Sequence, residues 1–144
     1  MMGMKISIDI AKLKTEIQAT ADKLNKATRP AAQAGAEVVY QRAKQLAPVS
    51  SRPHMFHGTN QVYGPYSPGN LRDSIYQVFS RDNSYKDVST YHISWNADKA
   101  PYGAMVEFGT SNAPAKSFIR RAMTETRKTA SAEMKKRFIE EVNK

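Results

Sequence analysis

Tyr91-His92-Ile93-Ser94-Trp95-Asn96 alternates large apolar or aromatic side chains with polar ones. Alternation with period two turns one face toward a core and the other toward water, so this stretch predicts a half-buried strand. Upstream lies a second β-prone run, Ile75-Tyr76-Gln77-Val78-Phe79. Between them Arg81-Asp82-Asn83-Ser84 collects turn formers. A small antiparallel sheet in the middle of the chain is therefore expected.

On both sides of this centre the pattern turns helical. Ile10, Leu13, Ile17 and Leu24 recur at helical spacing, with Asp9 placed to cap the first turn. Ahead of them Met4, Ile6, Ile8 and Ile10 alternate with polar residues, which reads as a short strand or as the lead-in to the helix. Pro30 interrupts, and a proline fits the first turn of a second helix carrying Ala31, Ala34, Val38 and Leu46. Residues 10–46 thus form two helices or one kinked helix, ended by Pro48. The other flank predicts a helix from Ser117 to Asn143, with Ser117 as its cap. Its stripe of Ile119, Ala122, Met123, Ala130, Met134 and Phe138 drifts around the axis, which suggests more than one packing partner. Tyr102 to Phe108 fits both periods. The expected class is α+β: a small antiparallel sheet packed with a long C-terminal helix and an N-terminal helical region.

Residues 48–70 break every pattern. Four of the seven prolines and three of the seven glycines fall there. A long Pro/Gly-rich loop is expected, and one of this length usually has a purpose. Met55, Phe56, Val62, Tyr63 and Tyr66 suit it to ordering against a neighbour.

The chain has 144 residues, which fits a single domain over 1–144. It contains no cysteine, so disulfides, thiolate metal sites and cysteine nucleophiles are excluded. No apolar run approaches the roughly 20 residues that span a bilayer, and no membrane partner is expected. The start, Met1-Met2-Gly3-Met4-Lys5-Ile6-Ser7-Ile8-Asp9, lacks the apolar core and cleavage site of a signal peptide. The net charge of +9 attracts polyanions. Residues 1–47 and 117–144 each carry +4, while 71–116 are neutral.

The side chains offer little catalytic chemistry. His54 and His57 form H-x-x-H, which could share a metal only if the backbone turned and a third ligand joined. No H-E-x-x-H, G-x-S-x-G or glycine-rich phosphate loop is present. Neither an enzyme nor a cofactor is expected. Glu107, set between Val106 and Phe108, is either a general acid with a raised pKa or a structural acceptor of hydrogen bonds; the second is the commoner role. Arg121, Lys128 and Lys135 are seven apart and so share one side of the last helix. They could meet DNA phosphates, or form an ordinary solvated face interrupted by Glu125, Glu133, Glu140 and Glu141.

Three stretches together carry a resemblance. They are Ala47-Pro48 followed by Gly69-Asn70-Leu71-Arg72-Asp73-Ser74-Ile75; then Ala100-Pro101-Tyr102-Gly103-Ala104-Met105-Val106-Glu107-Phe108-Gly109-Thr110; then Ala113-Pro114-Ala115-Lys116-Ser117-Phe118-Ile119-Arg120-Arg121-Ala122. In this order they resemble the neck or tail-completion proteins of long-tailed phages, encoded among the head–tail joining genes. The specific part runs from V-E-F-G-T to F-I-R-R-A. Relatives pass from A-P to G-x-L-R-x-S-I within a few residues, whereas residues 49–68 intervene here.

The motif reads as structural. Gly109 suits a positive φ after Phe108, and Thr110 can hydrogen-bond the turning backbone. Pro114 stiffens the approach to the helix, Phe118 plugs the core, and Glu107 ties either the turn or a neighbouring subunit. The resemblance implies a homo-oligomeric ring, with six the expected subunit count, that joins head to tail and lets DNA pass. Head-closure and tail-tube or tail-terminator proteins are its implied partners. Its implied place is the virion, at the neck or tail, assembled in the host cytoplasm. The alternative is a basic nucleic-acid-binding protein with no virion role.

Overall fold

The computed structural model describes residues 3–144. Met1 and Met2, part of the N-terminal stretch quoted above, lie outside the described residues. The elements in chain order are α1 (Ile10–Leu46), β1 (His54–His57), β2 (Val62–Tyr66), α2 (Asn70–Ser74), β3 (Ile75–Phe79), β4 (Tyr91–Trp95), α3 (Gly103–Phe108) and α4 (Phe118–Val142). The class is α+β.

A single 37-residue helix, α1, runs through Pro30, which decides between the expected alternatives of two helices or one kinked helix in favour of one. Proline removes one main-chain donor and crowds the preceding turn, which ordinarily breaks a helix. Here Ala27, Ala31, Gly35, Val39 and Ala43 are buried at four-residue spacing on both sides of Pro30. That continuous buried stripe keeps the chain helical on both sides of Pro30. At the N-terminus the Asp9 carboxylate accepts the Lys12 N–H at 3.1 Å. Met4, Ile6 and Ile8 pair with nothing and stay exposed, so residues 4–8 are the lead-in to α1 and not a strand.

α4 packs antiparallel along this stripe: Arg42 pairs with Glu125 near one end, and Gly35 faces Met134 further along. Small residues let the two backbones approach, and a Cβ on Gly35 would stand 2.5 Å from the Met134 side chain. The first turns of α1 run beyond the end of α4. There Ile10, Leu13, Ile17 and Leu24 remain exposed.

β3 and β4 pair antiparallel in unbroken register, from Ile75 opposite Trp95 to Phe79 opposite Tyr91. The expected loop over 48–70 contains a second hairpin, β1–β2, so the described residues form two two-stranded sheets in place of one. Gly58 N–H donates to the Gln61 carbonyl at 2.9 Å across its turn. Its strands have four and five residues and are interrupted by a register shift between His54 and Phe56. Such short, irregular strands show no alternation above the Pro/Gly background. The core gathers Val39, Ala43, Ala47, Leu71, Ile75, Ala100, Phe118, Ala122 and Ala130, and the hairpin adds no buried apolar side chain to it.

Candidate functional site

Within Tyr102 to Phe108, ambiguous by period, Gly103–Phe108 forms the short helix α3 with Tyr102 at its N-cap. It ends where Gly109 takes φ 78° and donates its N–H to the Met105 carbonyl at 2.8 Å. A side chain there would meet the Ala115 backbone nitrogen at 2.7 Å. Both the left-handed conformation and the close approach require glycine. The Thr110 hydroxyl accepts the Asn112 and Ala113 N–H groups at 3.2 and 3.1 Å, closing a tight turn. Pro114 lies in the exposed segment that follows, and Lys116 N–H then donates to the Val106 carbonyl at 2.8 Å.

This turn brings Glu107 under the first turn of α4. Its carboxylate is 2% exposed and accepts the Ile119 and Arg120 N–H groups at 3.0 and 3.1 Å. The first N–H groups of a helix have no partner within it, and the helix dipole concentrates positive charge there. Glu107 supplies both the acceptors and the opposite charge, from a point 12 residues earlier in the chain. Ser117, the expected cap, makes no side-chain capping bond. Its hydroxyl donates instead to the Glu107 carbonyl at 2.8 Å. The Arg120 guanidinium completes the cluster, 3.5 Å from the carboxylate, 2.9 Å from the Ser117 hydroxyl and over the exposed Phe108 ring at 5.3 Å.

Phe118 is fully buried and packs against Trp95 with ring centroids 5.6 Å apart. Gly103 lies against the same indole, leaving no room for a Cβ. One aromatic pair thus joins β4, α3 and α4.

The remaining candidates are dispersed. His54 and His57 sit at opposite ends of β1, with burial alternating along the strand. His54 turns inward, edge-on to Tyr102 at 4.8 Å and beside Tyr66 at 5.7 Å, while His57 is exposed. Among the described residues no three potential ligands gather around a metal position. Phe56 also reaches Tyr102, so the hairpin aromatics order against α3 of their own chain. Asn70 fastens Tyr102 from below, donating to its hydroxyl at 2.9 Å and to the Lys99 carbonyl at 2.7 Å. Burial pushes the Tyr102 hydroxyl above its usual pKa, with the Asn70 hydrogen bond opposing.

Arg121 is tied to Glu125 at 3.0 Å, and the same carboxylate takes Arg42 from α1. Lys128 and Lys135 are exposed and enter no ion pair among the described residues. Sequence reasoning missed the Arg42–Glu125 link and the reach of Glu107 to α4, since both depend on residues far apart in the chain.

Residues 11–109 match the family described as "Bacteriophage HK97-gp10, putative tail-component". No curated protein and no solved structure matches the chain. The matched stretch includes Glu107, Phe108 and Gly109 but stops short of α4, the helix that Glu107 caps. Covering well over half of the sequence, it means that this chain belongs to the HK97-gp10-like family of bacteriophage tail components.

Proposed function

We propose that the chain is a structural subunit of the phage neck, assembling as a closed ring, with six the expected count, that joins the filled head to the tail. The observation that carries this reading is the match of residues 11–109 to a bacteriophage tail-component family. The one acid in V-E-F-G-T agrees with a structural role for the motif, being buried and occupied by two backbone N–H groups. Membership in a tail-component family supports the virion role. A closed ring requires two different surfaces on each subunit that fit one another. Head-closure proteins on one side and tail-tube or tail-terminator proteins on the other are the proposed partners.

DNA passes through the channel of such a ring without being held. Lys128 and Lys135 are the proposed DNA-facing cations, with Arg121 partly neutralised by Glu125. Carboxylates spaced along α4 keep the potential modest. The net charge of +9 favours the rival reading, a nucleic-acid-binding protein with no virion role. Titration with duplex DNA at two salt concentrations separates the two, since tight binding with a steep salt slope supports the rival.

The direct test is a phage whose gene for this chain is interrupted, grown with and without the protein supplied in trans. Filled heads and unattached tails without the chain, and joined particles with it, are the expected result. Joined, infectious particles in its absence overturn the neck assignment.

A further inference from the structure

Between β4 and α4, with α1 as its floor, runs an apolar groove. Two hollows of about 420 and 390 Å³ share Ala32, Ser89 and Met134 and so form one continuous channel. Val39 lines its floor, Tyr91 and Ile93 one wall, and Ala130 the other. No β3 residue enters it. Among the described residues β4 pairs only with β3, so the edge of β4 beside the groove carries main-chain groups without a strand partner there. An edge strand next to an apolar trough is the geometry that accepts an added strand.

At the other end of the molecule residues 4–8 have the complementary character. Met4, Ile6 and Ile8 are 87%, 79% and 70% exposed, alternate with Lys5 and Ser7, and belong to no element. A segment with this pattern buries one face completely when it lies as a strand along a groove. Its own groove is out of reach. Ile10 and Ala32 are 22 residues apart on one helix, about 33 Å at 1.5 Å per residue. The arm from Ile10 back to Met4 spans only about 20 Å when fully extended.

We propose, building on the ring reading above, that residues 4–8 of one copy add as a strand to β4 of the next copy and fill its groove between β4 and α4. The occupant is thus a second copy of this chain. Arm and groove are different surfaces, which makes the contact heterologous, the type that closes a ring.

The test compares the purified full chain with an Ile6→Asp/Ile8→Asp variant by size-exclusion chromatography with light scattering. The wild type should exceed 16.1 kDa and the variant fall to that single-chain mass, with the same far-ultraviolet circular dichroism. Because the chain has no cysteine, pairs can be probed directly. An Ile6→Cys chain mixed with a Ser131→Cys chain should form a disulfide-linked pair on oxidation. Mixed with an Asn83→Cys chain, on the far turn, it should not. A wild type that stays at one chain mass, an arm variant that assembles like the wild type, or equal coupling to both cysteines overturns the proposal. An arm variant that still forms rings would leave the ring reading standing, whereas joined particles without the chain would remove that reading whatever the arm does.

Discussion

The carboxylate of Glu107 accepts the backbone N–H of Arg120 at 3.1 Å while the Arg120 guanidinium lies 3.5 Å from the same carboxylate. A residue in one helix therefore terminates the next from below and is shielded by a side chain of the helix that it caps. Burying a carboxylate is unfavourable unless its charge and lone pairs are met. Two N–H groups, the dipole of α4 and Arg120 meet them here. Glu107→Gln keeps the shape but gives up the charge and sets an amide N–H₂ against a helix N–H. It should lower unfolding stability by about 1–2 kcal/mol, read by urea denaturation. An unchanged midpoint would mean that the cap contributes nothing.

Gly109 and Ala115 meet at a turn with no space for a side chain. Gly109→Ala adds a Cβ at φ 78° and presses it on the Ala115 nitrogen. A loss of about 1–3 kcal/mol is expected from the backbone strain alone. Ala104→Gly, at an exposed helical position of α3, serves as the control and should cost less than about 1 kcal/mol.

Glu125 links α1 and α4 through Arg42. The hydrogen bond from Arg42, then that from Arg121, holds its carboxyl below the ordinary glutamate value of 4.5. A carboxylate with a lowered folded pKa contributes stability above the unfolded value, and loses it as pH falls through the folded one. The melting temperature of the wild type should thus exceed that of Arg42→Gln at neutral pH. The difference should shrink as the pH drops below 4.5. A gap that stays constant down to pH 3 would place the effect of Arg42 in packing and not in the ion pair.

The β1–β2 hairpin touches the rest of the molecule mainly through rings around Tyr102 and gives the core no buried apolar side chain. Replacing residues 51–67 with a short Gly/Ser linker should keep the fold and cost about 1–3 kcal/mol, the worth of its aromatic contacts. Thermal melts and near-ultraviolet circular dichroism would check this. Failure to fold would show that the hairpin supports the core in ways its burial does not reveal.

Legibility differed sharply between elements. Both strands of the central hairpin were readable to within a residue, because Ile75 to Phe79 is a β-prone run and Tyr91, Ile93 and Trp95 alternate with polar residues. α4 was readable almost to its ends. The outer hairpin was hidden, since Pro, Gly and a register irregularity leave too few alternating positions. Pro30 left one helix or two open, because a local rule about proline is set against a packing stripe that only the folded chain assembles.

Sequence alone determined the α+β class, the central strands, the resemblance to phage neck proteins and the positive φ that suits glycine at 109. These depend on periodicity and on backbone sterics, which act between near neighbours. Tertiary structure decided that α1 passes unbroken through Pro30, that residues 54–66 pair as a hairpin, and that the cap of α4 is Glu107 and not Ser117. Each of these outcomes depends on a partner distant in sequence, and proximity of that kind arises only when the core closes.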